Sequence, residues 1–259
     1  MAVSPFWQHA WLVIACFLAG ALNAVAGGGS FLSFPALLGV GVLPIQANAT
    51  NTVALWPGQF TSIAAYWHDL KVNLKLVLPV CSAALLGGLA GAIVLLRTGE
   101  TTFMALVPWL LLLAASLFAA SGPVSARLER NRVANPGARP NLVPLWVGIV
   151  VVCFYVGYFG AGAGFLIMSV LALFGIQNIH QVNALKVIAT TTANGIAVVT
   201  FIVGRQIAWK YCLLMMIAAA VGGYLGAHYA RGLNPRLMRL LVVLIGFGMA
   251  AYFFWRQYA

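Results

Sequence analysis

The sequence predicts an all-α, multi-pass membrane protein built from two homologous halves. Three observations lead there. Of 259 residues, 63% are hydrophobic and only 7% are charged, whereas soluble domains carry about 25% charged residues. Mean hydropathy is +0.99, and long apolar runs are separated by short polar breaks, the pattern of helices long enough to cross a bilayer. A set of uncommon residues also recurs at one offset of 135 positions. A transmembrane β-barrel is excluded, because its strands need about ten alternating residues and runs such as 104–120 do not alternate.

Taken in order, Trp7 and Trp11 suit a membrane interface. The opening MAVSPFWQHAW lacks the basic segment of a signal peptide, so the first apolar run, reaching Ala26, is expected to stay in the fold. It breaks at Gly27-Gly28-Gly29-Ser30. A short apolar piece, 31–38, follows and is ended by Gly39, Gly41 and Pro44. Apolar segments at about 47–67, 72–96 and 102–121 complete a first membrane repeat, residues 1–121. Residues 122–143 are hydrophilic, with Arg127, Glu129, Arg130, Arg132, Arg139 and three prolines, and read as an arginine-rich cytoplasmic linker. The second membrane repeat, 144–259, restarts the pattern. Its first run meets Gly160-Ala161-Gly162-Ala163-Gly164, a short piece 165–174 follows, and segments at about 181–204, 208–230 and 236–255 end the chain.

The duplication rests on arithmetic. Gln46 and Gln181 lie 135 apart, as do Asn48 and Asn183, Gly27 and Gly162, Gly29 and Gly164, and Lys75 and Lys210. The same ungapped offset superposes Gly87, Gly88 and Gly91 on Gly222, Gly223 and Gly226. Those glycines are expected to let membrane helices approach closely. Each half thus has four segments, the first broken by glycines. If the broken segment spans, the halves are parallel; if it is re-entrant, they are inverted. The positive-inside count gives equal totals for both, so the sequence leaves the two arrangements open.

The stretch QVNALKVIATTTAN, 181–194, carries the sharpest chemical signal. Asn183, Lys186, Thr190 and Asn194 fall within an arc of roughly 80° on a helix. A cation inside an apolar span costs about 3 kcal/mol or more unless paired or hydrated, which makes it a functional-site hypothesis by default. The first half repeats the row: Asn48 matches Asn183, Asn51 matches Lys186, Gln59 matches Asn194, and Thr52 and Ser62 share that side. The two rows are expected to converge on one cavity between the repeats, the usual place of a transporter's substrate site. Two plainer roles compete. The amides and hydroxyls can simply join helices, which is the expected role of any single threonine, Thr191 and Thr192 included. Lys186 can also snorkel to the interface. The breaks at Gly28, Gly29, Gly162 and Gly164 add backbone N–H groups at the start of a short helix, an anion-binding end; a sharp turn or close packing is the alternative.

Other classes are set aside by what the chain carries. The net charge of +11 comes from 14 Lys and Arg against 3 Asp and Glu. The basic residues sit between spans, where membrane topology accounts for them, so no nucleic-acid partner is expected. Cys16, Cys81, Cys153 and Cys212 lie singly in apolar runs without ligand spacing, which points to no metal, no disulfide and no cofactor. The acids, Asp69, Glu100 and Glu129, all fall between spans, leaving no carboxylate at membrane depth to hold a cation or relay a proton. The partner expected is a small anion met by Lys186, in a lipid bilayer. With no convergent acid, metal cluster or Ser/His pair at depth, an enzyme is not expected.

The glycine cluster with its short apolar piece, GGGSFLSFPALLGVGVLP, the helix opening QANATNT, and their repetition after a hydrophilic loop resemble the sulfite exporter TauE/SafE (TSUP) family over about residues 11–255. The resemblance implies a plasma-membrane (inner-membrane) permease for sulfite, thiosulfate, sulfoacetate or other sulfonates. With the interior negative, moving an anion outward gains about 2.3 kcal/mol per charge per 100 mV, which suits an exporter without a coupling ion. Alternating access at a site between the repeats is one way to do this. A passive anion channel, or a carrier of other small organic anions, is the alternative.

Overall fold

The computed structural model describes residues 5–25, 28–60, 74–134, 142–174, 176, 179–229 and 235–258. Ala26, Gly27, Ser62, Asp69 and Arg139, used above, lie outside the described residues, as do the side chains of Lys75 and of residues 121–134. All regular structure among the described residues is helical. In chain order the helices are α1 (Pro5–Val25), α2 (Ser30–Gly39), α3 (Pro44–Leu55), α4 (Leu74–Arg97), α5 (Glu100–Ala134), α6 (Leu142–Tyr158), α7 (Ala163–Leu173), α8 (Ile179–Val203), α9 (Trp209–Tyr229) and α10 (Pro235–Tyr258). Five helices, α4, α5, α8, α9 and α10, are long and apolar enough to cross a membrane, and they carry large exposed apolar side chains such as Leu78, Val203, Ile217 and Leu244. The protein is a multi-pass membrane protein. One boundary differs from the sequence reading: α5 runs on to Ala134, so the first part of the hydrophilic stretch continues a helix.

Helix directions follow from which ends touch. Gly29 lies against Ala19 of α1, whereas Gly39, at the other end of α2, lies by Trp11. The short helix therefore doubles back along α1. In the same way Gly148, near the start of α6, meets Val170 and Phe174 at the end of α7. Each glycine break is thus the tip of a helical hairpin. Non-helical backbone at such a place must be enclosed by protein or bathed in a water-filled cavity.

Close glycine contacts set the frame. Gly87 and Gly91 of α4 press on the backbone of α6 at Val150, Phe154 and Tyr158, and Gly222 and Gly226 of α9 press on α1 at Phe17 and Ala21. Residue numbers rise together in both pairs, so both are parallel. Helices α5 and α10, whose positions correspond under the 135 offset, are antiparallel: Ala115 meets Gly246, and Trp109 stacks edge-on against Phe254 with centroids 4.9 Å apart. These two helices run in opposite directions, as an inverted arrangement would have them. Between the two parallel pairs lies an aromatic core, where Phe34 of α2 meets Phe159 at 5.6 Å and Phe103 at 6.4 Å.

Gly222→Ala is expected to destabilise by about 1–3 kcal/mol, because its Cβ would enter the backbone of α1. Gly248 has nothing within 4 Å of a Cβ, so Gly248→Ala should be neutral or stabilising by about 0.5–1 kcal/mol. Thermal unfolding followed by size-exclusion chromatography in detergent compares the two.

Candidate functional site

Helix α3 is short and buried along most of its length, yet it is amide- and hydroxyl-rich. Each polar group has a specific task. Pro44 removes one of the N–H groups that start the helix, and Ile45 N donates to Glu100 Oε2 at 2.9 Å. Asn48 Nδ2 donates to the carbonyl of Tyr158, the last residue of α6, at 3.0 Å. Thr50 Oγ1 accepts from Ala208 N at 2.9 Å, just before α9 begins. Asn51 donates to Ser30 Oγ at 3.1 Å and accepts from Ser33 Oγ, both on the first turn of α2. Trp56, at the turn that ends α3, donates its indole N–H to the carbonyl of Thr191 on α8 at 3.1 Å. Trp56 and Thr191 are themselves 135 positions apart. Gly195 makes room for this contact, since a Cβ there would stand 3.1 Å from the indole ring.

The polar row of α8 lies along the second glycine break. Lys186 Cδ stands 3.6 Å from where a Cβ on Gly164 would be, and Asn194 Oδ1 stands 3.9 Å from the same point on Gly160. Gly160 and Gly162 have φ of 78° and 69°, left-handed values that favour glycine. Gly162 is packed on Ala114. Tyr155 Oη donates to the carbonyl of Ala161 at 2.8 Å and so pins the break from inside. Lys186 thus borders the Gly164 end of the second break and Asn194 its Gly160 end, about 12 Å apart along α8, while Asn48 meets the break through Tyr158. Lys186 is half-buried, and its ammonium donates to Asn183 Oδ1 at 3.2 Å.

The two halves hold the same frame with different chemistry. Asn51 and Lys186 occupy corresponding positions, each at the N-terminal end of a short re-entrant helix. Where Asn51 finds Ser30 and Ser33, the offset gives Lys186 Phe165 and Met168. Among the described residues, no carboxylate is paired with Lys186. Glu100, the described acid with a contact, is occupied at the start of α3.

The sequence expectation of a single shared cavity is changed in one respect. Thr50 meets residue 208 and Trp56 meets residue 191, so α3 and α8 cross antiparallel. Asn51 and Lys186 each lie five residues before that crossing, roughly 7–8 Å from it on opposite sides. The structure does not bring them together: Asn51 closes on the first hairpin and Lys186 lies beside the second, while Asn48 reaches across to Tyr158 of the second. Thr52 and Thr190 turn their hydroxyls to their own helix, donating to Asn48 O and to the carbonyls of Lys186 and Val187. Gly28, with φ of 100°, and Gly29 shape the first break beside Phe31 and Ala19. Ser33, Tyr155, Trp56 and Glu100 carry contacts that sequence reasoning missed. Spacing offered a signal only for Ser33, which stands one turn after Ser30.

The sulfite exporter TauE/SafE profile matches residues 12–253. The chain belongs to the sulfite exporter TauE/SafE family. TauE/SafE relatives match it along nearly all of their length. A probable membrane transporter protein, ORF9, of Sinorhizobium is 28% identical over 95% of this chain and 92% of its own. A probable membrane transporter protein of Haemophilus influenzae is 27% identical over 91% and 90%. The probable membrane transporter protein YfcA of Escherichia coli K12 is 24% identical over 96% and 90%. No solved structure matches the chain. This is a family of membrane transporters.

Asn48→Ala leaves the carbonyl of Tyr158 without its donor, which should cost about 1–3 kcal/mol. Asn48→Asp should cost more, since it removes the donor and adds a buried charge. Both are read as shifts in unfolding temperature; an unchanged midpoint for Asn48→Asp would refute the role given to this bond.

Proposed function

We propose that this chain exports a small sulfur-containing oxyanion, such as sulfite, thiosulfate or an organosulfonate, by alternating access. One observation carries the reading. Lys186 is a half-buried cation within a span, beside the N-terminal end of α7, with no carboxylate paired to it among the described residues. An anion supplies the missing charge. The ammonium, with N–H groups of the second break, matches the acceptor oxygens of such a ligand, and Asn194 lines the same break about two turns further along α8. Asn48 serves the same break as a positioning group through Tyr158.

The sulfur class is suggested by the family description. The direction is suggested by the membrane potential, which favours outward movement of negative charge. The arginine-rich stretch from residue 122 would then lie on the cytoplasmic side. Alternating access fits two re-entrant hairpins that enter from opposite faces and are joined through α3 and α8.

Purified wild-type protein should be stabilised by sulfite or a sulfonate, by about 2.7 kcal/mol at one hundred times the dissociation constant. Lys186→Ala should remove that protection and cut flux from loaded proteoliposomes at least tenfold, while Lys186→Arg keeps part of both. External substrate should accelerate exit of labelled internal substrate. If Lys186→Ala transports at the wild-type rate, the anion reading is wrong.

A further inference from the structure

The contact between the two polar rows carries more than packing. Trp56 is hydrogen-bonded to Thr191 through the indole N–H and the Thr191 carbonyl. It is bonded to Gln59 through its own carbonyl and the Gln59 N–H, at 2.9 Å. Both of these partners bury a side-chain oxygen that has no hydrogen-bond partner among the described residues, Thr191 Oγ1 and Gln59 Oε1. Thr191 is only 6% exposed. Most threonine hydroxyls inside membrane helices bond back to their own helix, as Thr52, Thr190 and Thr200 do here. Thr191 does not, and it stands at the crossing that separates Asn51 from Lys186.

Unpaired oxygens in an apolar interior are retained at a cost unless some state of the protein uses them. The Thr191 hydroxyl can donate to an oxyanion, and the Gln59 carboxamide can offer either its N–H₂ or its oxygen. The indole of Trp56 is wedged over Gly195 and braced edge-on by Phe60, with centroids 4.8 Å apart. Directly after it come Pro57 and Gly58, a pair that interrupts a helix.

We propose that Thr191 and Gln59 form a second, transient oxyanion station midway between the two hairpins, covered by Trp56 until the indole swings away. The station rests on the anion-transport reading and extends it. Substrate held by Lys186 passes to the Thr191 hydroxyl and the Gln59 amide before it reaches the first hairpin. This role goes beyond the helix-joining one expected of Thr191 from sequence.

Two measurements test the proposal, one of them independent of any substrate. A Thr191→Cys reporter should react slowly with a small membrane-impermeant methanethiosulfonate. It should react at least tenfold faster when combined with Trp56→Ala, and at an intermediate rate with Trp56→Phe, which keeps the ring and loses the N–H. The four native cysteines set the background in protein lacking the reporter. Equal labelling with and without Trp56, in variants that elute as folded protein, overturns the covering role. Separately, Thr191→Val and Gln59→Leu should each lower maximal sulfite flux about tenfold, with thermal protection by sulfite unchanged because Lys186 still binds it. Wild-type flux in both variants overturns the station, even where Lys186→Ala still abolishes transport. A wild-type protein that moves no anion, yet shows Trp56-dependent labelling, overturns the anion reading and with it the station's ligand; the covering contact then stands alone.

Discussion

A membrane offers no water to satisfy the ends of helices, and this fold depends on how α3 meets that constraint. A re-entrant chain multiplies helix ends at depth, and each brings N–H or C=O groups without intrahelical partners. Helix α3 supplies many of those partners. Asn48 takes the carbonyl end of α6 and Thr50 the amide end of α9, while Asn51 ties to the side-chain hydroxyls of Ser30 and Ser33 on the first turn of α2. Its own start is taken by Glu100. The short polar helix is buried because it is the hydrogen-bond hub of the others. Its asparagines are therefore structural first, and their spacing records which helix ends they meet.

The same frame shows why the halves differ at one position. Corresponding hairpins need corresponding glycines, and Gly29 and Gly164 both lie where a short helix begins. Asn51 pairs with two hydroxyls at its hairpin, a neutral and satisfied contact. The offset puts Phe165 and Met168 where those serines stand, and among the described residues the side-chain partner of Lys186 is Asn183. The duplication kept the scaffold and changed the charge. One half carries an amide at this position, while the other holds a cation whose balance comes from outside the chain on the proposed reading.

Much of this was legible in the sequence, and the rest was hidden for physical reasons. Apolar run lengths gave the spans, and the row through Lys186 and Asn194 gave the face of α8 that meets the second break. Helix direction was not legible, because the basic residues balance on the two faces and composition carries no sign of a helix doubling back. The antiparallel crossing was hidden for the same reason, so two rows that match in sequence were expected to meet in space. The continuation of α5 to Ala134 was obscured by arginines, which read as a linker although they are good helix formers. Glu100 looked like a loop residue, since a helix cap contributed from another helix leaves no local spacing to find.

Inversion itself has a consequence for a carrier of negative charge. Helices α2 and α7 both begin at a glycine break and run back toward the face from which their hairpin entered. Both therefore direct a positive helix end inward, worth roughly half an elementary charge each. Only the second hairpin adds the full charge of a lysine. On the proposed reading an anion thus meets a strong site on one side of the Trp56 crossing and a weaker one on the other. Steps toward the first hairpin lower the hold on it, whereas steps toward the second raise it. A path graded in this way holds substrate on the lysine side at low concentration, and release to the opposite face needs the gradient or the potential to drive it. Two equal lysines, one in each half, would hold an anion as tightly at the exit as at the entrance. A single lysine in an inverted pair makes the two sides of the crossing unequal in their hold on an anion, while the membrane potential sets the direction of net movement.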